Sequence, residues 1–243
     1  MATQRIRLRL VLFQIREDSV PMLQEQSCFI ERCQVARDQF TFINIVDTPN
    51  VSWKDVEDAH AVFIGGAGAF SVKEDHRFTN ALGDLVHEII ERDRPLFGAC
   101  WGHQFIVKTT GGTVVEDPEQ EEIGTFSISL TPDGVADPLF GALPTPFWAQ
   151  LGHKDSVIKL PPGWRELASS ARSRNQAIRL EGKPVYGTQF HSELNEERLR
   201  ERLLVYLDDY IGGDHDEFEK IIRGLRPSID ADRMMARFLE LYA

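Results

Sequence analysis

Cys100 stands in Gly98-Ala99-Cys100-Trp101-Gly102-His103-Gln104, after a short apolar run and before a stretch of helical composition. A cysteine at a sharp strand-to-helix turn can serve as a nucleophile. Small Gly98 and Gly102 leave steric room, the helix N-terminus favours thiolate over thiol, and the backbone N–H after the cysteine is free to receive an oxyanion. The same stretch also suits a buried structural cysteine, since cysteine is often core. A nucleophile needs a base, and His191 ends the apolar run 185–190 with Glu193 two residues on. Residues i and i+2 of an extended chain share a face at roughly 6.5–7 Å, so the carboxylate can reach the imidazole and fix its tautomer. Taken alone, this pair reads more simply as a strand-end histidine beside a solvated glutamate. Joined to the cysteine turn and to Gly65-Gly66-Ala67-Gly68, that simpler reading loses its advantage.

The elements that must position these residues alternate between strands and helices. Apolar runs 8–15 and 40–46 read as buried strands, with room for a helix over 21–37. Run 60–64 is a third strand that enters the glycine loop, where glycine permits tight turns and close ligand approach. Phe78, Leu82, Leu85, Val86, Ile89 and Ile90 form one face of an amphipathic helix within 75–93. Pro95 opens strand 96–99, and a helix over 101–110 stops at Gly111-Gly112. This alternation predicts an α/β fold, a parallel sheet covered by helices. Thr125, Ser127 and Ser129 alternate with Phe126, Ile128 and Leu130, as in a half-exposed strand. Further strands are expected at 147–151, 177–180 and 185–190. A helix over 196–211, with Leu199, Leu203, Leu207, Tyr210 and Ile211 on one face, should stop at Gly212-Gly213. Two amphipathic stretches follow, Phe218/Ile221/Ile222/Leu225 and Met234/Met235/Phe238/Leu241, separated by Arg226-Pro227. The expected organisation is one domain over 1–213 and a helical C-terminal extension over 214–243.

Composition narrows the chemistry further. The 243 residues carry a net charge of −11, and no basic cluster exceeds the alternation Arg5, Arg7, Arg9, which argues against nucleic acid or membrane surfaces as partners. A small-molecule substrate fits better. No apolar run reaches the ~18–20 residues that span a bilayer and no signal-type block follows the N-terminus, so a cytoplasmic protein is expected. Three cysteines, Cys28, Cys33 and Cys100, make no disulfide framework, and Cys28 and Cys33 have no nearby histidine to suggest zinc. Gly66-Ala67-Gly68-Ala69-Phe70-Ser71 lacks the third glycine of a dinucleotide fingerprint. The acidic run Glu116, Asp117, Glu119, Glu121, Glu122 reads as a solvated loop. His103 should point away from the site, and His153 and Asp155 suit either a pocket wall or a turn.

Taken together, Gly-x-Cys-x-Gly-x-Gln at 98–104, the glycine loop with Ser71-Val72 behind it, Gly152-His153-Lys154-Asp155-Ser156-Val157 and Gly187-Thr188-Gln189-Phe190-His191-Ser192-Glu193 resemble class I glutamine amidotransferase domains, GMP-synthase-like ones in particular. The resemblance spans about residues 40 to 195. It implies a flavodoxin-like open, mostly parallel sheet with helices on both faces. It implies Cys100 as nucleophile, His191 as general acid/base and Glu193 as its orienter. Gly66 and Trp101 would supply oxyanion N–H groups, and Gln104, Gly152, His153 and Asp155 would hold the substrate. No metal or cofactor is implied. Ser192 replaces the proline usual between histidine and glutamate; proline there supplies rigidity and no reacting group, so the triad is expected to survive.

Three functions fit. One is a glutaminase-type subunit that hands ammonia to a separate synthetase, since the length leaves no space for an ATP-dependent synthetase. Another is a free-standing γ-glutamyl peptidase. The last is an inactive binding module using its C-terminal helices, against which the intact Cys100, His191 and Glu193 argue.

Overall fold

The computed structural model describes residues 7–68, 70–208 and 212–243; Arg5, Ala69, Tyr210 and Ile211, named above, lie outside them. The first half of the chain runs β1 (Leu10–Ile15), α1 (Ser19–Cys33), β2 (Phe40–Asn44), β3 (Ala61–Ala67), α2 (Thr79–Glu91), β4 (Leu96–Ala99) and α3 (Trp101–Thr109). It continues through β5 (Thr113–Glu116), β6 (Glu122–Leu130), α4 (Pro132–Ala136), β7 (Phe147–His153), β8 (Asp155–Lys159), β9 (Trp164–Ser169), β10 (Ala177–Leu180) and β11 (Val185–Thr188). Three helices close it: α5 (Glu196–Val205), α6 (His215–Gly224) and α7 (Met234–Tyr242).

Among the described residues the main sheet has the order β2-β1-β3-β4-β11-β10-β9-β6-β7. The first five strands are parallel and the remaining four extend the sheet antiparallel. The parallel strands are covered on both faces, which is why their sequences are apolar at nearly every position. Leu10, Leu12, Phe63 and Phe97 point to one side, against Phe29 of α1 and Phe238 of α7. Val11, Phe13, Ile15, Val62 and Ile64 point to the other, against Leu82, Leu85, Val86 and Ile89 of α2 and Phe105 and Ile106 of α3. The expected α/β sheet is therefore present, and the C-terminal helix α7 contributes Met234, Met235, Phe238 and Leu239 to its core.

Differences from the sequence expectations lie where pairing partners are distant. β5 and β8 form a separate two-stranded sheet, and β9, with its mixed Trp-Arg-Glu-Leu-Ala-Ser pattern, is a strand because β10 and β6 flank it. The helix expected over 21–37 stops at Cys33, where Gln34 turns left-handed with φ 55°. Glu122 corrects the solvated-loop reading of the acidic run: it opens β6 opposite His153 and is fully buried. A buried carboxylate requires partners, and it has them in His153 and Gln176.

Helix α3 sits backbone-to-backbone on the sheet. A Cβ on Gly102 would run into the Ile64 carbonyl of β3, and one on Gly98 would come within 2.6 Å of the Gly102 carbonyl carbon. Gly102→Ala should therefore cost about 2 kcal/mol or more in urea unfolding, because backbone cannot yield as a side chain can. Gly224→Ala, facing open space, should stay within about 0.5 kcal/mol of wild type. Equal midpoints for the two variants would contradict this packing.

Candidate active site

Cys100 occupies the single-residue turn between β4 and α3, with φ 50° and ψ −105°. Positive φ is costly for a residue with a Cβ, and it persists here because both ends of the turn are tied down. Its N–H donates to the Thr188 carbonyl of β11 at 2.7 Å, and its own carbonyl accepts from Gln104 N at 3.1 Å, the first hydrogen bond of α3. The sulfur is thereby presented at the α3 N-terminus, where first-turn N–H groups such as that of Trp101 have no intrahelical acceptor. Gln189 Nε2 donates to Sγ at 3.7 Å, and Sγ lies 3.8 Å from the Gly152 carbonyl.

His191 follows β11, and its N–H donates to Gln150 O of β7 at 2.8 Å, so the segment is anchored from the far part of the sheet. Its Nδ1 is 2.5 Å from Glu193 Oε1, with both side chains buried. Burial alone would lower the imidazole pKa, but the Glu193 carboxylate and the adjacent Cys100 outweigh it and raise His191 to about 9. Burial pushes Glu193 upward, and His191, its hydrogen bond and Arg202 overcome that and bring it down to about 2. Gly66 is where the groups converge. A Cβ on it would lie 3.1 Å from His191 Cε1, 3.4 Å from Arg16 Nη2 and 3.8 Å from Cys100 Cβ. The β1–β3 register slips at this point, pairing Phe13 with Ile64 but Ile15 with Ala67, which leaves Gly65 and Gly66 in a bulge beside the sulfur.

Cys100, Trp101, Gln104, Gly152, His153 and Asp155 all line one cavity of about 200 Å³. The side chains expected to hold substrate are themselves held by protein. Gln104 Nε2 donates to Asp155 O at 2.7 Å and to Gln189 Oε1 at 3.0 Å, and Asp155 Oδ2 accepts from Ser71 Oγ at 2.5 Å. His153 places Nε2 3.1 Å from Glu122 Oε2 and Nδ1 3.0 Å from Asp155 O. His103 packs against Gly187 and is absent from the cavity wall; burial and nearby His153 lower it to about 3, so it is neutral. Cys28 and Cys33 are buried free thiols, both pushed up by burial, Cys28 to about 12. Among the described residues no group of three or more His, Cys, Asp or Glu could hold a metal ion, and no helix is long and apolar enough to cross a membrane.

Sequence reasoning did not single out Gln189, Arg16 or Arg202. Gln189 carried a readable signal, because it sits two residues before His191. Arg16 and Arg202 carried none, since a buried arginine and a surface arginine look alike in a sequence.

The family model for glutamine amidotransferase class-I matches residues 29–205. The chain belongs to this family. Among other amidotransferases, the glutamine-hydrolyzing GMP synthase subunit from Archaeoglobus fulgidus is 36% identical over 150 residues, covering 60% of this chain and 72% of that one. GMP synthase from Thermosipho africanus is 31% identical over 144 residues, 59% of this chain, and the match spans only 26% of that longer protein. The fold is shared with a glutamine amidotransferase from Thermotoga maritima, with a TM-score of 0.76 at 20% identity, over 96% of this chain and 98% of that one.

The raised His191 pKa makes the fold of this amidotransferase pH-dependent in a defined direction. An imidazole that titrates at about 9 when folded and near 6.5 when unfolded adds stability in full below pH 6.5, and that stability is lost as pH rises through 9. Between these limits, urea unfolding of the wild type should lose on the order of 1–3 kcal/mol more than His191→Gln does. Parallel pH curves for the two proteins would contradict the assignment.

Proposed function

We propose that this chain hydrolyses the side-chain amide of glutamine through a γ-glutamyl thioester on Cys100 and supplies the ammonia to a separate synthetase chain. The observation that carries this reading is the convergence of the Cys100 turn, His191 and the Gly66 bulge, with Glu193 2.5 Å behind the imidazole. In this reading His191 carries its proton at neutral pH, and Cys100 attacks the amide carbon as thiolate. The resulting oxyanion accepts hydrogen bonds from the Gly66 and Trp101 N–H groups. The ring nitrogen not engaged by Glu193 gives its proton to the leaving nitrogen, the C–N bond breaks, and ammonia departs. His191, now neutral, takes a proton from water as the water attacks the thioester, the C–S bond breaks, and glutamate and the thiolate are released. The synthetase partner is supported by the relatives, one a subunit of GMP synthase and another a GMP synthase of which this chain spans about a quarter.

Cys100→Ala should lower glutamine hydrolysis by about three orders of magnitude or more while remaining folded, on the order of the cost of removing a covalent nucleophile. Cys28→Ala and Cys33→Ala should keep it. Full turnover in Cys100→Ala would end the proposal.

Glu193→Gln should lower turnover by about 10²–10⁴. Alkylation of Cys100 by an electrophilic glutamine analogue should slow but persist in Glu193→Gln, and fall further in His191→Ala. Unchanged turnover in Glu193→Gln would leave a Cys-His dyad. With purified protein alone, rapid cleavage of γ-glutamyl dipeptides would favour a peptidase, and activity appearing only with a synthetase would favour the amidotransferase reading.

A further inference from the structure

A buried cation stands behind the His191–Glu193 pair, and the reaction just described gives it no task. Arg202, on α5, is 2% exposed, and its Nη1 lies 3.5 Å from Glu193 Oε1. Its Nε donates to Gln24 Oε1 of α1 at 3.0 Å, which sets the plane of the guanidinium. Neither Nη has a hydrogen-bond partner among the described residues, and neither does Glu193 Oε2. A guanidinium withdrawn from water needs a counter-charge, and Glu193 is the one carboxylate ion-paired with Arg202 among the described residues. We propose that Arg202 is a positioning residue of the amidotransferase site, holding Glu193 ionised and turned toward His191 and so setting the pH range in which the Cys100–His191 pair works. The inference rests on the Cys100–His191–Glu193 reading.

Charge balance gives the reason. Thiolate, imidazolium, carboxylate and guanidinium sum to zero across four buried side chains, and without Arg202 the same cluster carries one uncompensated negative charge. The other charged or titratable groups facing this cluster do not replace it. Arg16, which reaches Gly66 from the end of β1, is already paired with Glu25 at 2.7 Å. Cys28 of α1, near Arg202, has its thiol pushed up to about 12 and stays neutral. Arg198 is paired with Glu31 and Glu201. Against burial, which pushes Glu193 up, Arg202 figures among the influences that hold it low, after His191 and the hydrogen bond to it.

Removing a cation makes every nearby proton harder to lose. The acid limb of kcat/KM for glutamine should therefore move to higher pH in Arg202→Gln, by about half to one unit, a three- to tenfold loss on that limb. Arg202→Lys keeps the charge and should stay close to the wild-type limb even if kcat falls. A limb in Arg202→Gln that superposes on wild type, whatever the loss of kcat, would overturn the proposal, as would an equal shift in Arg202→Lys.

Because Arg202 is buried, urea unfolding of Arg202→Gln, Glu193→Gln and the double variant runs alongside. If Arg202 and Glu193 are paired, the double variant should lose clearly less stability than the sum of the two single losses, because each single variant already forfeits the shared contact; losses that simply add would overturn the pairing. This cycle reads Arg202 without reference to activity. Should Cys100→Ala retain glutamine turnover, the amidotransferase mechanism fails while the unfolding cycle still decides whether Arg202 and Glu193 are coupled.

Discussion

Everything at the site depends on Cys100 being held with φ 50° at the end of a buried parallel strand. That conformation would relax if either neighbour could move. β4 cannot, because it is paired in parallel on both sides, to β3 and to β11. α3 cannot, because Gly98 and Gly102 let its first turn press directly on the β3 backbone at Ile64. The strain of one residue is thus balanced by sheet pairing and by close packing across two glycines. The same constraint brings the other components into place. β11 lies beside β4 and delivers His191 next to the sulfur, while β3, on the other flank, delivers the Gly65-Gly66 bulge.

Around that turn the protein buries several charged groups. Arg16 with Glu25, His153 with Glu122, and His191 with Glu193 and Arg202 are all enclosed. Each carboxylate faces a cationic or hydrogen-bonding partner, which is what makes burial tolerable. Gln14 and Gln26 extend the first cluster through hydrogen bonds from Gln26 Nε2 to Gln14 Oε1 and from Gln14 Nε2 to Glu25 Oε2, both at 2.9 Å. The glycine bulge therefore rests on an ordered polar layer, with Glu25 directly under Gly65. The cavity of about 200 Å³ beside Cys100 is likewise lined by side chains already fixed by protein partners, among them Gln104, His153 and Asp155.

Local sequence determined the elements whose burial is uniform. β1, β3, β4 and α2 are readable because each is apolar wherever it meets a two-sided core, and the Cys100 turn follows because glycines flank a cysteine at the junction of a strand pattern and a helix pattern. Pairing of His191 with Glu193 was readable from their spacing, although the expected strand 185–190 ends at Thr188 and the two side chains meet across bent chain beyond it. These relations lie within a few residues of one another.

Tertiary structure decided the rest, because it depends on contacts between distant segments. Whether a charged residue is solvated or enclosed is set by what lies over it. Glu122, in a run that looks like a loop, is buried because β7 places His153 across from it, and Arg202, on a helix rich in charge, is buried because α1 closes over it through Gln24. β9 is a strand only by virtue of its neighbours. A sequence specifies side-chain types and local spacing, while the free energy of burying a charge depends on partners brought from elsewhere in the chain, and that partnership exists only once the sheet has formed.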